Sequence, residues 1–224
     1  MSGAGRVNLE PAWVLHRRPY RDTSEIVDLF TPNHGRVGAV ARGSRRARRR
    51  TPLELFQPLH VSWAGKGELV TLAGAEPRGR GLEATGRRLL SMFYVNELVL
   101  RLTLRQDPHP DIFATYESTV YRLAQDAGEA KTLRLFERDL LDSLGYGLLL
   151  DRDVEGAEVR ADCAYQYRLE EGPRRAEGNA GSALRISGRA LRAIHTGCLD
   201  DATELREARL LLTAALDHYL GGRP

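Results

Sequence analysis

The spacing of apolar residues changes along this chain, and that change constrains the fold more than any other feature. Before about residue 81, apolar residues form short or alternating runs bounded by glycine and proline, which is typical of β-strands. From about residue 84 they recur every three or four positions, as on the buried face of a helix. The pattern predicts an α+β chain with a β-rich domain at residues 1–81 and a helical domain at residues 82–224.

Five candidate strands lie in the first domain, at residues 12–15, 26–30, 36–41, 59–64 and 68–75. Gly65-Lys66-Gly67 joins the last two as a hairpin. Five short strands with no intervening helix favour a closed barrel, because closure removes the exposed edges of a small sheet. We expect a five-stranded OB-fold β-barrel, and an SH3-like barrel would produce a similar pattern.

Three apolar stripes of helical spacing follow, at residues 92–102, 113–123 and 133–144. They predict three helices that pack into a bundle. Ser187 is a candidate cap for a further helix, and the apolar spacing over residues 205–219 predicts a last one. Residues 151–183 are polar and contain glycine, with one strand-like run at residues 164–169, so they predict a small loop-rich insertion.

Membrane and metal classes are disfavoured by the sequence. No apolar run approaches the roughly 20 residues that cross a bilayer, and no signal-peptide pattern opens the chain, so we expect a cytoplasmic protein. Cys163 and Cys198 form no CxxC motif, which favours reduced thiols. His195 has ligand-like spacing to Cys198, but a structural zinc site takes four ligands, so we expect neither a metal nor another cofactor.

Positive charge is concentrated in the first domain. Residues 1–81 hold 14 Lys or Arg against 7 Asp or Glu, whereas residues 82–224 hold 19 against 23. Six arginines occupy nine positions in one predicted loop: Arg42, Arg45, Arg46, Arg48, Arg49 and Arg50. Guanidinium groups match phosphate oxygens with paired hydrogen bonds, so this run predicts a clamp on a nucleic-acid backbone. A solvated, mobile loop is the alternative for such a charge run.

The remaining predicted nucleic-acid-binding residues belong to the same domain. They are Arg17, Arg18, Tyr20, Arg36 and Lys66. Tyr20 lies in a polar segment, so its ring is a candidate platform for stacking on bases. The same basic barrel would suit an RNA-binding or ribosome-associated factor, because charge alone does not distinguish ribose from deoxyribose.

Catalytic signatures are absent from the sequence. It contains no Walker loop, no GxGxxG after a strand, no GxSxG and no HExxH. Acidic pairs such as Asp107 with Asp111, or Asp151 with Asp153, leave open a metal-dependent hydrolase that acts on nucleic acid. We expect a protein that is not an enzyme.

Several short motifs resemble the RecO family in their order and spacing over roughly residues 10–150. In the barrel these are Val14-Leu15, Arg18-Pro19-Tyr20, Thr23-Ser24, Leu29-Phe30-Thr31, Gly35-Arg36, Ala41-Arg42-Gly43 and Leu55-Phe56-Gln57-Pro58. In the helical domain they are Tyr94-Val95-Asn96-Glu97-Leu98, Phe136-Glu137, Leu140-Leu141 and Leu144-Gly145-Tyr146-Gly147. The chain is thus similar to a family of DNA repair and recombination mediators.

The resemblance implies a nucleoid-associated monomer that binds single- and double-stranded DNA and anneals complementary strands. It also implies work with RecR, and often RecF, together with binding to the acidic C-terminal tail of single-strand-binding protein and indirect help in loading RecA. Many members of the family carry a four-cysteine zinc module in the region that matches residues 151–183. Only Cys163 lies there in this chain, so the chain looks like the zinc-free branch.

Two arginines of the helical domain are candidates for contact with that acidic tail. Arg134 and Arg138 are four residues apart and would share one helix face. The alternative role is an ordinary salt bridge to Glu137 or Asp142.

Overall fold

The computed structural model describes residues 5–44, 53–125, 128–176 and 184–221. The chain forms two compact units, Met1–Asp126 and Ala127–Pro224. Strands dominate the start of the first unit, and helices form most of the regular secondary structure of the second. The α+β prediction is therefore confirmed, while the division predicted at residues 81 and 82 is a different boundary and stays a prediction.

The first unit begins with a closed five-stranded barrel. Its strands are β1 (Arg6–Tyr20), β2 (Ser24–Thr31), β3 (Gly35–Ala41), β4 (Leu59–Ala64) and β5 (Leu69–Pro77). The first half of β1 pairs with β4 and its second half pairs with β2, because a 15-residue strand is long enough to serve both. Parallel pairing of β3 with β5 closes the order β1-β2-β3-β5-β4. The OB-fold prediction is confirmed.

The middle of β1 and most of β2 are buried on both faces. Aliphatic side chains fill the barrel, among them Val14, Val27, Leu29, Val37, Ala39, Leu59 and Val61. Trp13 and Phe30 point away from that interior and are nevertheless fully buried. An apolar outward pair of this kind requires a second layer over the barrel wall.

Helices α1 (Gly86–Leu102) and α2 (Pro110–Ala124) supply that layer. Tyr116 of α2 meets Trp13 edge-on, with ring centroids 5.9 Å apart. Its hydroxyl donates to Asn96 Oδ1 at 2.7 Å, and Asn96 Nδ2 donates to the carbonyl of Leu15 at 3.0 Å. Complete burial raises the pKa of Tyr116 far above its ordinary value. This buried polar chain joins both helices to β1.

The grouping of the helices differs from the predicted bundle. The sequence placed the first three helices together, but α1 and α2 belong to the barrel's unit and α3 (Glu129–Ser143) to the second unit. The outward-facing rings of Trp13 and Phe30 need an apolar cover, and α1 and α2 provide it. The apolar periodicity of the helices does not show which surface they cover. Pro110 is the first residue of α2, and Gly128, with φ +64°, precedes α3.

The second unit combines α3 with a small sheet and two further helices. The sheet has the order β7-β6-β8, from β6 (Ala164–Arg168), β7 (Gly172–Arg175) and β8 (Leu184–Ser187), and it precedes α4 (Gly188–Thr196) and α5 (Ala202–Tyr219). Sequence analysis predicted only β6 of this sheet, because β7 and β8 have four residues each, too few for a readable alternation. Ser187 caps α4 as predicted, accepting from the backbone of Ala190 at 3.2 Å.

Within the described part of the chain, each helix is too short or too polar to cross a bilayer.

Candidate nucleic-acid interface

Strand alternation places three neighbouring residues of β1 on the outside of the barrel. A bulge follows Val14, and beyond it His16, Arg18 and Tyr20 point outward in steps of two. Their partners across the pair are Asp28, Ile26 and Ser24 of β2 in the same order.

The outward surface continues onto β3 and β5. Arg36, Gly38 and Val40 alternate with the inward residues of β3, and Gly38 pairs in turn with Leu69 of β5. We call the outward residues of these strands, namely His16, Arg18, Tyr20, Ser24, Ile26, Asp28, Arg36, Gly38, Val40, Leu69 and Thr71, the outer strand face. Strand faces of this kind hold oligonucleotides in OB-folds.

One rim of the outer strand face combines free cations with an aromatic ring. Among the described residues, neither Arg18 nor Arg42 has a hydrogen-bond or ion-pair partner, and both are exposed. Tyr20 is half-buried, with the Arg21 guanidinium 5.2 Å from its ring centroid. Tyr20, Arg21 and Arg42 border a groove of about 700 Å³, into which Asp22 contributes the one carboxylate among the described lining. Arg18 lies two residues before Tyr20 on the same face of β1.

The arginine run begins at this rim. Ser44 donates to Glu25 at 2.8 Å, which holds the end of β3 beside the β1–β2 turn. Arg45, Arg46, Arg48, Arg49 and Arg50 follow directly in sequence and lie outside the described residues. Their role stays a prediction.

Arg105 and His16 add cations at the middle of the outer strand face, and sequence analysis missed both. Arg105 lies in the loop after α1, and its guanidinium covers Gly38 so closely that a Cβ there would be 2.3 Å from Nη1. It forms an ion pair with Asp28, and His16 Nδ1 lies 3.9 Å from the same carboxylate. Alternation alone would place His16 inward, on the side of Val14, and the bulge between them turns it outward. Arg105 reaches this place only through the tertiary fold.

Arg36 is held by backbone. Its Nη2 and Nε donate to the carbonyl of Thr103 at 2.7 and 3.1 Å. Burial lowers its pKa, as does the nearby Arg105 cation, while Asp28 acts in the opposite direction. The side chain therefore ties β3 to the loop after α1, and contact with nucleic acid stays a prediction for it.

Arg17 and Lys66 lie away from the free cations of the rim. Arg17 points to the opposite side of β1 from Arg18 and pairs with Glu54 at 3.0 Å. Lys66 lies in the β4–β5 turn, at the other end of the barrel from Tyr20. The structure thus brings Arg18, Tyr20 and Arg42 together and separates these two from them.

The two arginines predicted for partner binding have partners inside the second unit. Arg134 pairs with Glu137 at 2.5 Å, and its side chain is only 9% exposed. This is the salt bridge that sequence analysis offered as the alternative. Arg138 pairs with Asp139 at 2.7 Å and donates to the carbonyl of Ile194 at 2.6 Å, at the end of α4. Partner binding by either residue stays a prediction.

The cysteines of the second unit are free thiols. Cys163 accepts from Arg175 Nη2 at 3.1 Å, and Cys198 is exposed. Over residues 5–44, 53–125, 128–176 and 184–221, no group of three or more His, Cys, Asp or Glu is placed to hold a metal ion.

Comparison with known proteins identifies the family. The family model for the N-terminal domain of recombination protein O matches residues 7–79, and the model for its C-terminal domain matches residues 83–224. The chain is 49% identical to the DNA repair protein RecO of Alkalilimnicola ehrlichii, over 100% of this chain and 90% of that protein. It is 45% identical to RecO of Nitrosococcus oceani, over 98% of this chain and 90% of the relative. A third relative, RecO of Coxiella burnetii strain RSA 331, is 43% identical over 98% and 95% of the two chains. The two family models together span both the OB-fold barrel and the helical part of the chain. The chain belongs to the RecO family of DNA repair proteins.

Proposed function

We propose that this chain binds single- and double-stranded DNA on the outer strand face and anneals complementary strands. The observation that supports this is the rim where Arg18 and Arg42 are exposed without partners beside the ring of Tyr20. Free guanidinium groups can take phosphate oxygens, and an aromatic ring can stack on any base. Such a surface binds the backbone without reading the sequence.

Annealing follows from the same chemistry. Two DNA strands repel each other through their phosphates, and a surface of arginines lowers that repulsion by replacing condensed counterions. Base pairing then selects the partner strand, so the protein needs no contacts that read base edges. Arg105 contributes less than the rim residues to this function, because Asp28 already neutralises part of its charge.

The second unit recruits protein partners in this proposal. They are the acidic C-terminal tail of single-strand-binding protein and RecR, with RecF in some reactions, and together they help to load RecA at gaps. Arg138 is the more accessible of the two candidate arginines, with 24% of its side chain exposed against 9% for Arg134. It is therefore the better first substitution in a test of tail binding.

The proposal also includes a monomer that acts in the cytoplasm at the nucleoid and catalyses no reaction. Incubation of labelled DNA with the protein and Mg²⁺ or Mn²⁺ tests the last point. We expect intact DNA, and cleavage that co-purifies with the protein would show a nuclease instead.

Salt-dependent binding to single strands tests the main proposal. If about four to six phosphates are neutralised, the logarithm of the association constant should fall against the logarithm of salt concentration with a slope near −3 to −4. Binding that does not change with salt would refute the proposal. RNA of the same sequence should compete less well than DNA, and a preference for RNA would favour the ribosome-associated alternative.

Annealing of DNA coated with single-strand-binding protein tests the partner function. We expect faster annealing with the intact coating protein than with a version that lacks its C-terminal tail. Equal rates would remove the tail from the proposal and leave the DNA-binding part standing.

A further inference from the structure

A second cavity opens at the other end of the barrel from the Tyr20 rim. It has a volume of about 380 Å³, within the range of roughly 300–1,000 Å³ that is usual for small-ligand pockets. The β2–β3 turn, the β4–β5 turn and the loop after α1 form it, and His34, Lys66 and Gln106 represent these three segments. We call it the turn pocket.

The three segments of the turn pocket are held to one another by hydrogen bonds. The backbone N–H of Gln106 donates to the carbonyl of Arg36 at 2.9 Å, and its side-chain amide donates to the carbonyl of Gly67. The β4–β5 turn is fixed from its other side, where the N–H of Gly65 donates to Gly5 at 3.0 Å. The pocket is therefore preformed, so a ligand would meet little cost of ordering its walls.

The charge of the turn pocket suits an anion. Within the described part of the chain no Asp or Glu lines it. Neither the Lys66 ammonium nor the His34 ring has a hydrogen-bond or ion-pair partner among the described residues, although the His34 backbone donates to Thr31. Two potential donors thus face one cavity with no carboxylate to compensate them, which favours a phosphate group.

The walls of the turn pocket suit a flat apolar group. Trp63 contributes its indole, against which the His34 ring lies edge-on with the centroids 5.2 Å apart. Val37, Val70 and Pro108 complete an apolar lining. A phosphate-binding end beside an aromatic and aliphatic wall is the pattern that a nucleotide would fill.

We propose that the turn pocket binds one unpaired nucleotide, with its base against the Trp63 wall and its phosphate on Lys66. This inference rests on the proposed function, because it extends the path of a strand that lies on the outer strand face. Leu69, which pairs with Gly38 in that face, is three residues from Lys66. A duplex cannot insert a base without unpairing it, so the pocket favours single strands over duplex DNA.

The two tryptophans of the chain make the pocket directly observable. Trp13 is fully buried under α2, whereas Trp63 lines the turn pocket. Fluorescence of a Trp13→Phe variant therefore reports on Trp63 alone, once circular dichroism shows that the variant is folded. Labelling of the unchanged protein with 5-fluorotryptophan provides the same readout without the substitution.

Thymidine monophosphate, oligothymidylate and an abasic oligomer of the same length are the probes. We expect the first two to change the Trp63 signal and the abasic oligomer to leave it unchanged. The abasic oligomer should also bind at least about fivefold more weakly, because it loses the base that would stack on Tyr20 as well as the one in the turn pocket, so the Trp63 signal is the readout that is specific to the pocket.

The two lysines of the chain supply an independent measurement. Lys66 faces the pocket, and Lys131 pairs with Asp200 in the second unit, so Lys131 is an internal reference. Oligothymidylate should slow acetylation of Lys66, read by mass spectrometry, and leave that of Lys131 unchanged. Lys66→Gln should reduce the magnitude of the salt slope by about 0.7, the value for one phosphate of a single strand, and Lys131→Gln should not.

The outcomes separate this inference from the function on which it rests. If oligothymidylate binds with the expected salt slope but the Trp63 signal does not respond, the pocket proposal is wrong and the outer strand face still binds DNA. A Trp63 response to an acidic peptide, with none to nucleotides, would also refute it. If no oligomer binds at all, the proposed function fails first.

Discussion

Arg17 and Arg18 are adjacent arginines on opposite sides of β1, and they provide a direct test of the outer strand face. Arg18 points outward and is unpaired among the described residues, and Arg42 lies at the same rim. Arg17 points the other way, into a 3.0 Å ion pair with Glu54. We predict that Arg18→Ala with Arg42→Ala weakens single-strand binding and that Arg17→Ala does not.

The size of the effect follows from the number of phosphates lost. Each phosphate neutralised on a single strand contributes about 0.7 to the salt slope, so the double variant should reduce the slope by about 1.4. Exposed ion pairs contribute up to about 1 kcal/mol each, so we expect roughly 5- to 30-fold weaker binding at low salt.

Fluorescence anisotropy of a labelled oligothymidylate, measured over a series of salt concentrations, checks both numbers. Arg17→Ala is the matched control for the single variant Arg18→Ala, because each removes one charge from β1. If Arg17→Ala changed the slope as much as Arg18→Ala does, net charge alone would explain binding. The assignment of the interface to the outward residues would then be wrong.

Three further predictions concern stability. Tyr116→Phe leaves the buried Asn96 carbonyl oxygen without its donor, and should lower the free energy of unfolding in urea by about 1–3 kcal/mol. Gly35→Ala should cost about 2–5 kcal/mol, because Gly35 has φ +60° and its Cβ would lie 2.1 Å from the Asp107 carbonyl oxygen. Asp201 has a lowered pKa because backbone N–H groups at the start of α5 donate to its carboxylate. Its stabilising effect should therefore be present above its unfolded pKa and be lost as the pH falls through its folded pKa. Asp201→Ala should remove that part of the pH dependence of the melting temperature.

Each of these predictions has a control in the chain. Gly43→Ala shares a positive φ of +70°, but its Cβ would meet no atom of the described residues within 4 Å, so it should cost only the backbone part, about 1–2 kcal/mol. Equal losses at Gly35 and Gly43 would contradict the close approach to Asp107. Asp201→Asn keeps an oxygen that can accept from the helix and has no titrating group, so it should retain more stability than alanine at neutral pH. For Tyr116→Phe, unchanged stability would mean that water replaces the lost donor.

The barrel strands could be predicted because their pattern is local. Strands β2 to β5 lie within one or two residues of the expected runs, since alternation and turn residues are visible in short windows. Both ends of β1 were missed, because the predicted run covered only residues 12–15. Residues 6–11 pair with β4 and residues 16–20 pair with β2. The outward set His16, Arg18 and Tyr20 required the position of the bulge, which only the register shows.

Strand order also explains which of the predicted site residues lie together, while their role in binding stays a prediction. Arg18, Tyr20 and Arg42 are neighbours in the fold because the β1–β2 turn and the end of β3 meet, as strand order implies. Arg105 could not be predicted, because it reaches Asp28 across 77 residues of sequence. Lys66 looked equivalent to the rim cations in sequence, and the barrel places it at the opposite end.

The barrel strands, the helices, the family resemblance and the concentration of arginine in the first third could all be predicted from the amino-acid sequence. These properties depend on residues that are close together in the chain, because apolar spacing, turn residues and runs of charge can be recognised within a few positions. The sequence did not predict that α1 and α2 cover the barrel, that Arg36 binds backbone, or that Trp63 and Lys66 share a cavity. Those facts depend on which distant segments bury their apolar surfaces against one another, and short windows of sequence carry no information about that.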